Sequence, residues 1–540
     1  MKIVVAEKIS PAAIDVLRQE PGWTIVTADQ IPAGQLPSAL ADADALIVRS
    51  AVKVTADLLE HAPKLRVIGR AGIGVDNIEL EAATRKGIAV MNTPGANAVA
   101  VAEHTLGLML SLARHLCRAS ELTKSGKWEK KSLEGRELRG KTLGIIGLGR
   151  IGMEVARRAR AFEMTAIAHD PYISPEIARE NKVELKNLDE VFAQSDYLTL
   201  HMALTPQTAG FINATSIARM KKGVRIINCA RGELVDEAAL AEAIKSGHVA
   251  GAAIDVFLEE PPKNTPLFPL ENVVATPHIA GSTHEAQEAV GVQIAKQVRE
   301  YLSRGVIQNA VNVPSVSYEE YVQMQPFITL GQRLGAFLAQ ATGEEGGVRE
   351  IALRYTGRVA NWQTQLLRNA VTMGVLNSML AEEANLVNAE AIAGSRGVRV
   401  RESAKEKTTA GGGAGDVIEV TLRTGVGQHT VAGTVLHGRS PRILSVDGLD
   451  IEAPLAHDLI FLRNRDVPGV IGRIGTILGE HQINIASFSL GRVEEPGPSG
   501  PSGDVEAVSV IQVDTPAPEK VLAELRKIPA ITKARAIQLG

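Results

Sequence analysis

Leu143-Gly144-Ile145-Ile146-Gly147-Leu148-Gly149-Arg150-Ile151-Gly152 sets three glycines at G-x-G-x-x-G spacing between an apolar run and an amphipathic one. Residues 142–146 read as a buried strand, and Ile151, Val155, Ala159 and Phe162 recur at helical spacing after it. In that setting Gly147 makes a tight turn, Gly149 lets the backbone approach a pyrophosphate, and Gly152 lets the helix pack closely on the strand. Unpaired N–H groups at the helix start favour an anion. A second strand over 165–168 leads to Asp170, eighteen residues after Gly152. A carboxylate there accepts hydrogen bonds from an adenosine ribose and repels a 2′-phosphate, which selects NAD over NADP. Three glycines alone also suit a plain strand-to-helix turn; strand, helix and acid together point to a Rossmann unit.

Outward from this stretch, buried-strand patterns recur at 197–200, 224–227, 250–254 and 273–275, and six strands suit a doubly wound parallel sheet. Upstream, β-rich runs at 2–6, 24–27, 45–48, 66–69 and 88–91 alternate with helical patterns, which predicts a further α/β unit of flavodoxin-like type. Asn97 is placed to cap a long helix through Leu108, Leu112 and Leu116 towards Gly126, a bridge between the two units. A helix over 282–301 returns the chain to the first unit. That unit is then split, 1–96 with 282–310, around a second at 97–281. Beyond Val313-Pro314 comes a mixed α+β region, 314–450, with a Thr/Ala/Gly stretch at 407–415 that reads as a flexible loop. Residues 456–540 read as strand, helix, strand, strand and helix, with strands at 458–462, 486–490 and 505–513. A small ferredoxin-like domain follows from that order, with a mobile hairpin insertion at 494–503.

A chain of 540 residues exceeds one hydrophobic core and implies about three or four domains. Its 45% apolar and 22% charged residues suit a soluble globular protein. A net charge of -3 and only 3% aromatics argue against nucleic acid as a partner. Cys117 and Cys229 stand far apart, so neither a disulfide framework nor a zinc site is expected; no metal is predicted and the cytoplasm fits. The first residues meet charge too soon for an export signal. The most apolar stretch, 98–116, carries Glu103, His104, Arg114 and His115, which disfavours a membrane span.

Three later blocks each follow a strand: Asn228-Cys229-Ala230-Arg231-Gly232, Asp255-Val256-Phe257-Leu258-Glu259-Glu260-Pro261, and Thr276-Pro277-His278-Ile279-Ala280-Gly281. Open α/β sheets bind ligands beyond the C-terminal ends of their strands. With the glycine fingerprint, these blocks resemble the signatures of the D-2-hydroxyacid dehydrogenases over roughly residues 1 to 310. The resemblance implies that Arg231 binds the substrate carboxylate, Glu260 pairs with the histidine, and His278 exchanges the proton while the nicotinamide exchanges the hydride. It adds Arg150, Ile151, Met202, Cys229, Ala230, Asp255, Ala280 and Gly281 to Gly147, Gly149, Gly152 and Asp170 as neighbours of the cofactor. The residue types suit this chemistry. Imidazole titrates near working pH, a nearby carboxylate stabilises its charged form, and a guanidinium grips a carboxylate as a bidentate fork. Taken singly, such a histidine or arginine is more often structural; three blocks in family order carry the assignment. The place directly before Pro261 favours Glu260 over Glu259.

In Arg70-Ala71-Gly72-Ile73-Gly74-Val75-Asp76-Asn77 the glycines expose backbone N–H groups at a turn, and the family holds the substrate carboxylate there, through Ile73 and Gly74. Arg49 with Ser50, Arg70, and Asn97 resemble the phosphoglycerate dehydrogenase subfamily. A phosphorylated acid needs a second cationic pocket, for which Arg49 or Lys53 is available; surface ion pairing is the rival. Trp128 and Lys130 fit the same subfamily, Lys130 as a basic contribution and Trp128 equally as a core or subunit contact. Asn464-Arg465-Asp466-Val467-Pro468-Gly469 with Gln482-Ile483-Asn484 resembles an ACT domain, and 314–450 resembles the intervening domain of the long subfamily members. The Pro-Gly turn opens a helix whose N–H groups suit a carboxylate. The resemblance implies L-serine as effector at Asn464, Asp466 and Asn484, with a plain dimerisation module as the alternative. It implies oxidation of 3-phospho-D-glycerate by NAD in a homodimer or homotetramer. The rival functions are reduction of another 2-oxo acid, such as 2-oxoglutarate, and an NAD-sensing corepressor.

Overall fold

The computed structural model describes residues 1–314, 316, 318–343, 347–379, 384–405, 415–492 and 506–539. The loops expected at 407–415 and 494–503 lie outside the described residues, Gly415 apart. Five strands, β1 (Lys2–Val5), β2 (Thr24–Thr27), β3 (Ala45–Val48), β4 (Val67–Arg70) and β5 (Ala89–Met91), form a parallel sheet in the order β2-β1-β3-β4-β5. Every residue of β3 is buried, as expected where both faces of a parallel sheet are covered. The order is the flavodoxin-like one.

Seven parallel strands make the second sheet: β6 (Thr142–Ile146), β7 (Thr165–His169), β8 (Glu184–Leu185), β9 (Tyr197–Leu200), β10 (Val224–Asn228), β11 (Val249–Ile254) and β12 (Val273–Ala275). Their order, β12-β11-β10-β9-β6-β7-β8, switches direction between β6 and β9, the kind of crevice in which doubly wound sheets bind dinucleotides. One more strand is present than the pattern predicts. β8 is a two-residue edge strand with no buried residue, so it leaves no apolar run to read.

The bridging helix differs from expectation twice. Ala98–Arg114 does start after Asn97, but the Asn97 side chain makes no capping hydrogen bond. The helix ends at His115, which is left-handed at φ 51, and Leu116–Lys124 is a separate helix with no buried residue. Burial along the first helix stops at Ala113, so no core contact holds the chain to one axis beyond it. The helix His284–Arg304 returns to the first sheet, where Val290, Ile294 and Val298 join Ile3, Ile14 and Leu17 in one cluster. Gly69 on β4 admits it: a Cβ there would lie 2.8 Å from Ile294 and 2.9 Å from Val298.

The third sheet comprises β13 (Val348–Thr356), β14 (Arg399–Lys405), β15 (Val417–Thr424), β16 (Gln428–Leu436), β17 (Ser440–Val446) and β18 (Leu449–Pro454), antiparallel except for β13 beside β14. The helices Tyr318–Thr342 and Gln365–Asn377 touch backbone to backbone at Gly335 and Gly374, where a Cβ would overlap the facing carbonyl oxygens. The last sheet is antiparallel: β19 (His457–Arg465), β20 (Ile485–Arg492), β21 (Glu506–Val513) and β22 (Ile531–Leu539), in the order β20-β21-β19-β22. With helices Val470–Glu480 and Glu519–Leu525 it is ferredoxin-like. The sequence pattern predicts only three of these strands. In β22 a register shift opposite Arg463/Asn464 spaces the buried residues Ile531, Ala534, Ile537 and Leu539 unevenly, which hides the alternation. No described helix is long and apolar enough to cross a membrane.

Candidate active site

The loops after β11 and β12 bring a carboxylate, Glu260, to an imidazole, His278. Asp255 follows β11 with its side chain fully buried, and His278 follows β12 in a left-handed backbone conformation, φ 53. The His278 N–H donates to the carbonyls of Asp255 (2.8 Å) and Thr276 (3.0 Å). A non-glycine residue in this region persists only where its surroundings impose it. His278 Nδ1 lies 2.7 Å from Glu260 Oε2, and Glu260 Oε1 accepts from the Phe257 amide at 3.1 Å. Because a carboxylate only accepts, Nδ1 carries a hydrogen and, in the neutral ring, Nε2 is the acceptor. The imidazole is half exposed, so Nε2 is reachable. Asp255 supports the turn from beneath: Oδ1 accepts from Thr276 Oγ1 (2.5 Å) and the Ile279 amide (3.0 Å), Oδ2 from the Ala280 amide (2.9 Å). Burial pushes the Asp255 carboxyl up, but hydrogen bonds from His104, Thr276 and the two amides outweigh it and hold it below the usual carboxylate range.

Arg231 follows β10 on a turn shaped by Asn228, whose Oδ1 accepts from the Ala230 amide (3.0 Å) and whose Nδ2 donates to the Arg231 carbonyl (2.7 Å). Gly232 passes so close to the exit of β11 that a Cβ would overlap the Phe257 backbone, which locks the loops of Arg231 and Glu260 side by side. The guanidinium reaches across to the first sheet: Nε donates to Asp76 (3.0 Å), Nη1 to the Ala230 carbonyl (2.7 Å), and Nη2 fills the space a Gly74 side chain would need. Arg70 fills the corresponding space at Gly72, and its Nε is buried with no hydrogen-bond partner among the described residues. Burial pushes the Arg70 guanidinium down to about 10; Arg231 and Arg49 add to the effect, while Asp76 and Glu7 oppose it. Three neighbouring guanidiniums with an unsatisfied buried donor make a site for anions. Glu7 draws in the 49–52 turn by accepting from the amides of Arg49 (2.8 Å), Ala51 (3.2 Å) and Val52 (3.1 Å). Ser50 and Lys53 are exposed. The Ile73 carbonyl is tied to Asn92 Nδ2 at 2.6 Å, which fixes the Gly72–Gly74 turn.

The glycine turn has the shape a dinucleotide needs. Gly147 is left-handed at φ 91, and a Cβ there would lie 2.7 Å from the His201 carbonyl oxygen and 3.0 Å from the Met202 amide. A Cβ at Gly152 would overlap the Gly147 carbonyl oxygen, whereas one at Gly149 meets nothing within 4 Å. Gly149 opens the helix Arg150–Ala161, so its unpaired N–H groups look into clear space, which fits a pyrophosphate. Asp170 follows β7; one oxygen accepts from the Leu148 amide (2.8 Å) and the other from Tyr172 (2.9 Å). Ile151 packs into the core behind the turn. The Arg150 side chain bonds the Pro94 carbonyl on the first unit instead of turning back to the helix start. Asn97 meets Gly281, where a Cβ would lie 2.8 Å from its Nδ2, and its Oδ1 is buried without a partner. Burial pushes the Cys229 thiol up to about 12 and the neighbouring His201 down to about 3, so both are neutral near pH 7.

Two expectations are corrected. Trp128 is 85% exposed, so it is not part of a core within the chain; Lys130 is exposed beside it. The three effector residues do not share one place. Asn464 is the penultimate residue of β19 and bonds the Arg465 carbonyl (2.9 Å) and Ser509 (3.4 Å), and Asp466 takes Arg492 (3.3 Å). Asn484 precedes β20 and donates to Asp514 (2.7 Å). Arg465 pairs with Glu506 on β21 whereas Ile485 pairs with Val513, so the two groups stand at opposite ends of the sheet, seven residues or about 24 Å apart. Asp76, Asn228 and Thr276 received no role from the sequence although they stand inside its quoted blocks. Glu7 and His104 lie in no motif, and only the fold brings them to the site.

Family models match three consecutive stretches: the NAD binding domain of D-isomer specific 2-hydroxyacid dehydrogenases over 106–280, the D-3-phosphoglycerate dehydrogenase intervening domain over 323–447, and the ACT domain over 459–530. D-3-phosphoglycerate dehydrogenase of Methanocaldococcus jannaschii is 42% identical over 540 residues, covering 100% of both chains. The Bacillus subtilis enzyme of that name is 38% identical over 92% of each chain, and the human one 37% over 92% of this chain and 93% of its own. Among solved structures, a D-lactate dehydrogenase from Aquifex aeolicus in complex with NAD and lactic acid is 30% identical. It covers 58% of this chain and 100% of its own, with a TM-score of 0.51. A glyoxylate reductase from Paecilomyes thermophila is 31% identical over 58% of this chain and 98% of its own, TM-score 0.53. Fold and site are those of an NAD-dependent dehydrogenase of the D-isomer 2-hydroxyacid class. More narrowly, the chain belongs to the D-3-phosphoglycerate dehydrogenase family.

Proposed function

We propose that this chain oxidises 3-phospho-D-glycerate to 3-phosphohydroxypyruvate with NAD, the first step towards L-serine, under feedback by L-serine at the ACT domain. The observation that carries the reading is that the loop of Arg231, whose guanidinium acts on Arg70 together with Arg49, packs at Gly232 against the loop that carries Glu260, the partner of His278. A substrate with a carboxylate at one end and a phosphate at the other needs more cationic contacts than an unphosphorylated hydroxy acid. Arg231 and the amides of Ile73 and Gly74 take the carboxylate and so fix C2. Arg70 and Arg49, with Ser50 and Lys53, take the phosphate. His278 Nε2 removes the proton of the C2 hydroxyl, and Glu260 stabilises the resulting imidazolium. Bound NAD supplies the acceptor for the hydride leaving C2. It would be held by the turn from Gly147 to Gly152, Asp170 for the ribose, and Arg150, Ile151, Met202, Cys229, Ala230, Asp255, Ala280 and Gly281 around the rest. Asn97 closes the cleft where the two units meet.

We divide the chain functionally into 1–96 with 282–310 for substrate, 97–281 for NAD, and 314–450 and 456–540 for regulation. An effector site using Asn464, Asp466 and Asn484 together needs two copies of the chain, because one copy holds them at opposite ends of its sheet; this supports a homodimer or homotetramer. Two unbonded cysteines, one exposed and one buried, suit the cytoplasm. The test is NADH formation from 3-phosphoglycerate by wild type and His278→Ala, with and without L-serine. Loss of about 10²- to 10⁴-fold in the variant, and serine inhibition of the wild type, are the expected results. Turnover only with an unphosphorylated hydroxy acid would keep the mechanism and overturn the substrate. No turnover with NAD-dependent partner binding would replace the enzyme by a sensor.

A further inference from the structure

The helix Ala98–Arg114 passes the turn that carries His278 and presents one imidazole to it. His104 Nε2 lies 3.2 Å from Thr276 Oγ1 and 3.4 Å from Asp255 Oδ1. The Thr276 hydroxyl hydrogen is committed to Asp255 Oδ1 at 2.5 Å, so His104 faces two acceptors and its Nε2 carries a hydrogen. The fully buried Asp255 carboxylate thus gathers four donors: His104, Thr276, and the amides of Ile279 and Ala280. Those amides belong to the two residues directly after His278. The carbonyls of Asp255 and Thr276 accept the amide of His278 itself. The left-handed backbone at His278 rests on these contacts.

We propose that His104 is a positioning residue for proton exchange at His278, acting through the Asp255 carboxylate on the 276–280 turn. The inference rests on the role of His278 argued above. A buried carboxylate stays ionised only while its lone pairs are satisfied. Ionised, Asp255 accepts from both turn amides at once; protonated, one oxygen becomes a donor and must release an N–H, and the turn relaxes. Among the described residues, His104 supplies the one donor to Asp255 that comes from outside the β11 and β12 loops. It therefore ties the turn to the helix that spans the two units.

The test uses the full chain with His104→Leu, which keeps bulk and removes the donor, and His104→Gln, which keeps an N–H donor. In the leucine variant kcat falls about 10- to 100-fold while KM for 3-phosphoglycerate stays within about threefold, and glutamine restores most of kcat. A wild-type kcat in the leucine variant would overturn the proposal, as would equal losses in both variants with lowered melting temperatures, which would make His104 a packing residue. A readout independent of turnover is the imidazole signal of His278 in histidine-labelled protein, assigned with His278→Ala. It should move in the leucine variant and return in the glutamine one. An unmoved signal overturns the proposal whether or not phosphoglycerate is the substrate, whereas a wild type inert towards phosphoglycerate strikes only the functional reading.

Discussion

Arg70 brings a charge to a place where its Nε finds no partner and Arg231 lies alongside. Its folded pKa, about 10, is below the ordinary 12.5, so the fold disfavours the charged form. The cost is fully present below about pH 10 and is relieved only as pH rises from there towards the ordinary value. Arg70→Met removes this cost, so without ligand the variant melts higher at neutral pH, by about 2–4 °C for each kcal/mol recovered. Its KM for 3-phosphoglycerate rises about tenfold or more, the value of one lost charged hydrogen bond. Melting curves with and without 3-phosphoglycerate check both halves: at equal concentration the ligand should stabilise the variant less than the wild type. A variant that melts lower without ligand would show the charge to be compensated in the free protein. The sequence exposes Arg70, Arg231, Glu260 and His278 because each stands in a compact local block. It cannot expose the bond from Arg231 to Asp76, whose partners are 155 residues apart, or the reach of His104 to Asp255. Such contacts depend on two elements crossing, and neither element carries a trace of the other.

At the scale of elements, β3, β6 and β9 can be read from the sequence to the residue because buried parallel strands are continuous apolar runs, and the edge strands β2 and β12, which have no buried residue, can be read from their β-branched runs. β8 and β22 cannot, one being an exposed edge and the other shifted in register. The break at His115 was equally hidden, since Leu116 continues the apolar count although it is exposed in the structure. The glycine turn is legible as a motif, yet its glycines are not equivalent, and two substitutions separate them. Gly152→Ala drives a Cβ into the Gly147 carbonyl, so the variant loses about 1–3 kcal/mol of stability and NADH affinity with it. Gly149→Ala meets no described atom within 4 Å, so it melts like wild type while NADH binding weakens, because the added methyl occupies the space left for the pyrophosphate. Melting temperature and NADH fluorescence titration on the two variants distinguish them. Unchanged NADH affinity in Gly149→Ala would move the cofactor away from this turn.

Across the whole molecule, one apolar cluster runs from Ile3 on the first sheet through Ile294, Tyr321, Phe337 and Ile443 to Leu539 on the last, whereas the dinucleotide unit has two clusters of its own. Regulatory and substrate-side elements therefore share a core that the dinucleotide sheet does not enter. Phe337 is fully buried on the helix Tyr318–Thr342 and meets Phe461 of β19 edge to face, ring centres 5.6 Å apart, so it joins the intervening region to the ACT domain. Phe337→Ala leaves a cavity at that joint and costs about 3–5 kcal/mol. The loss should be local to the shared core. In amide exchange, peptides from β13, β19 and β22 should exchange faster in the variant, while those from β6, β9 and β10 keep their protection and NADH affinity is unchanged. The serine inhibition proposed above should weaken in the same variant, since the shared core is a packed connection between the ACT domain and the first sheet. Equal deprotection of both regions would mean that the chain unfolds as a single cooperative body and that separate cores do not confer separate stabilities.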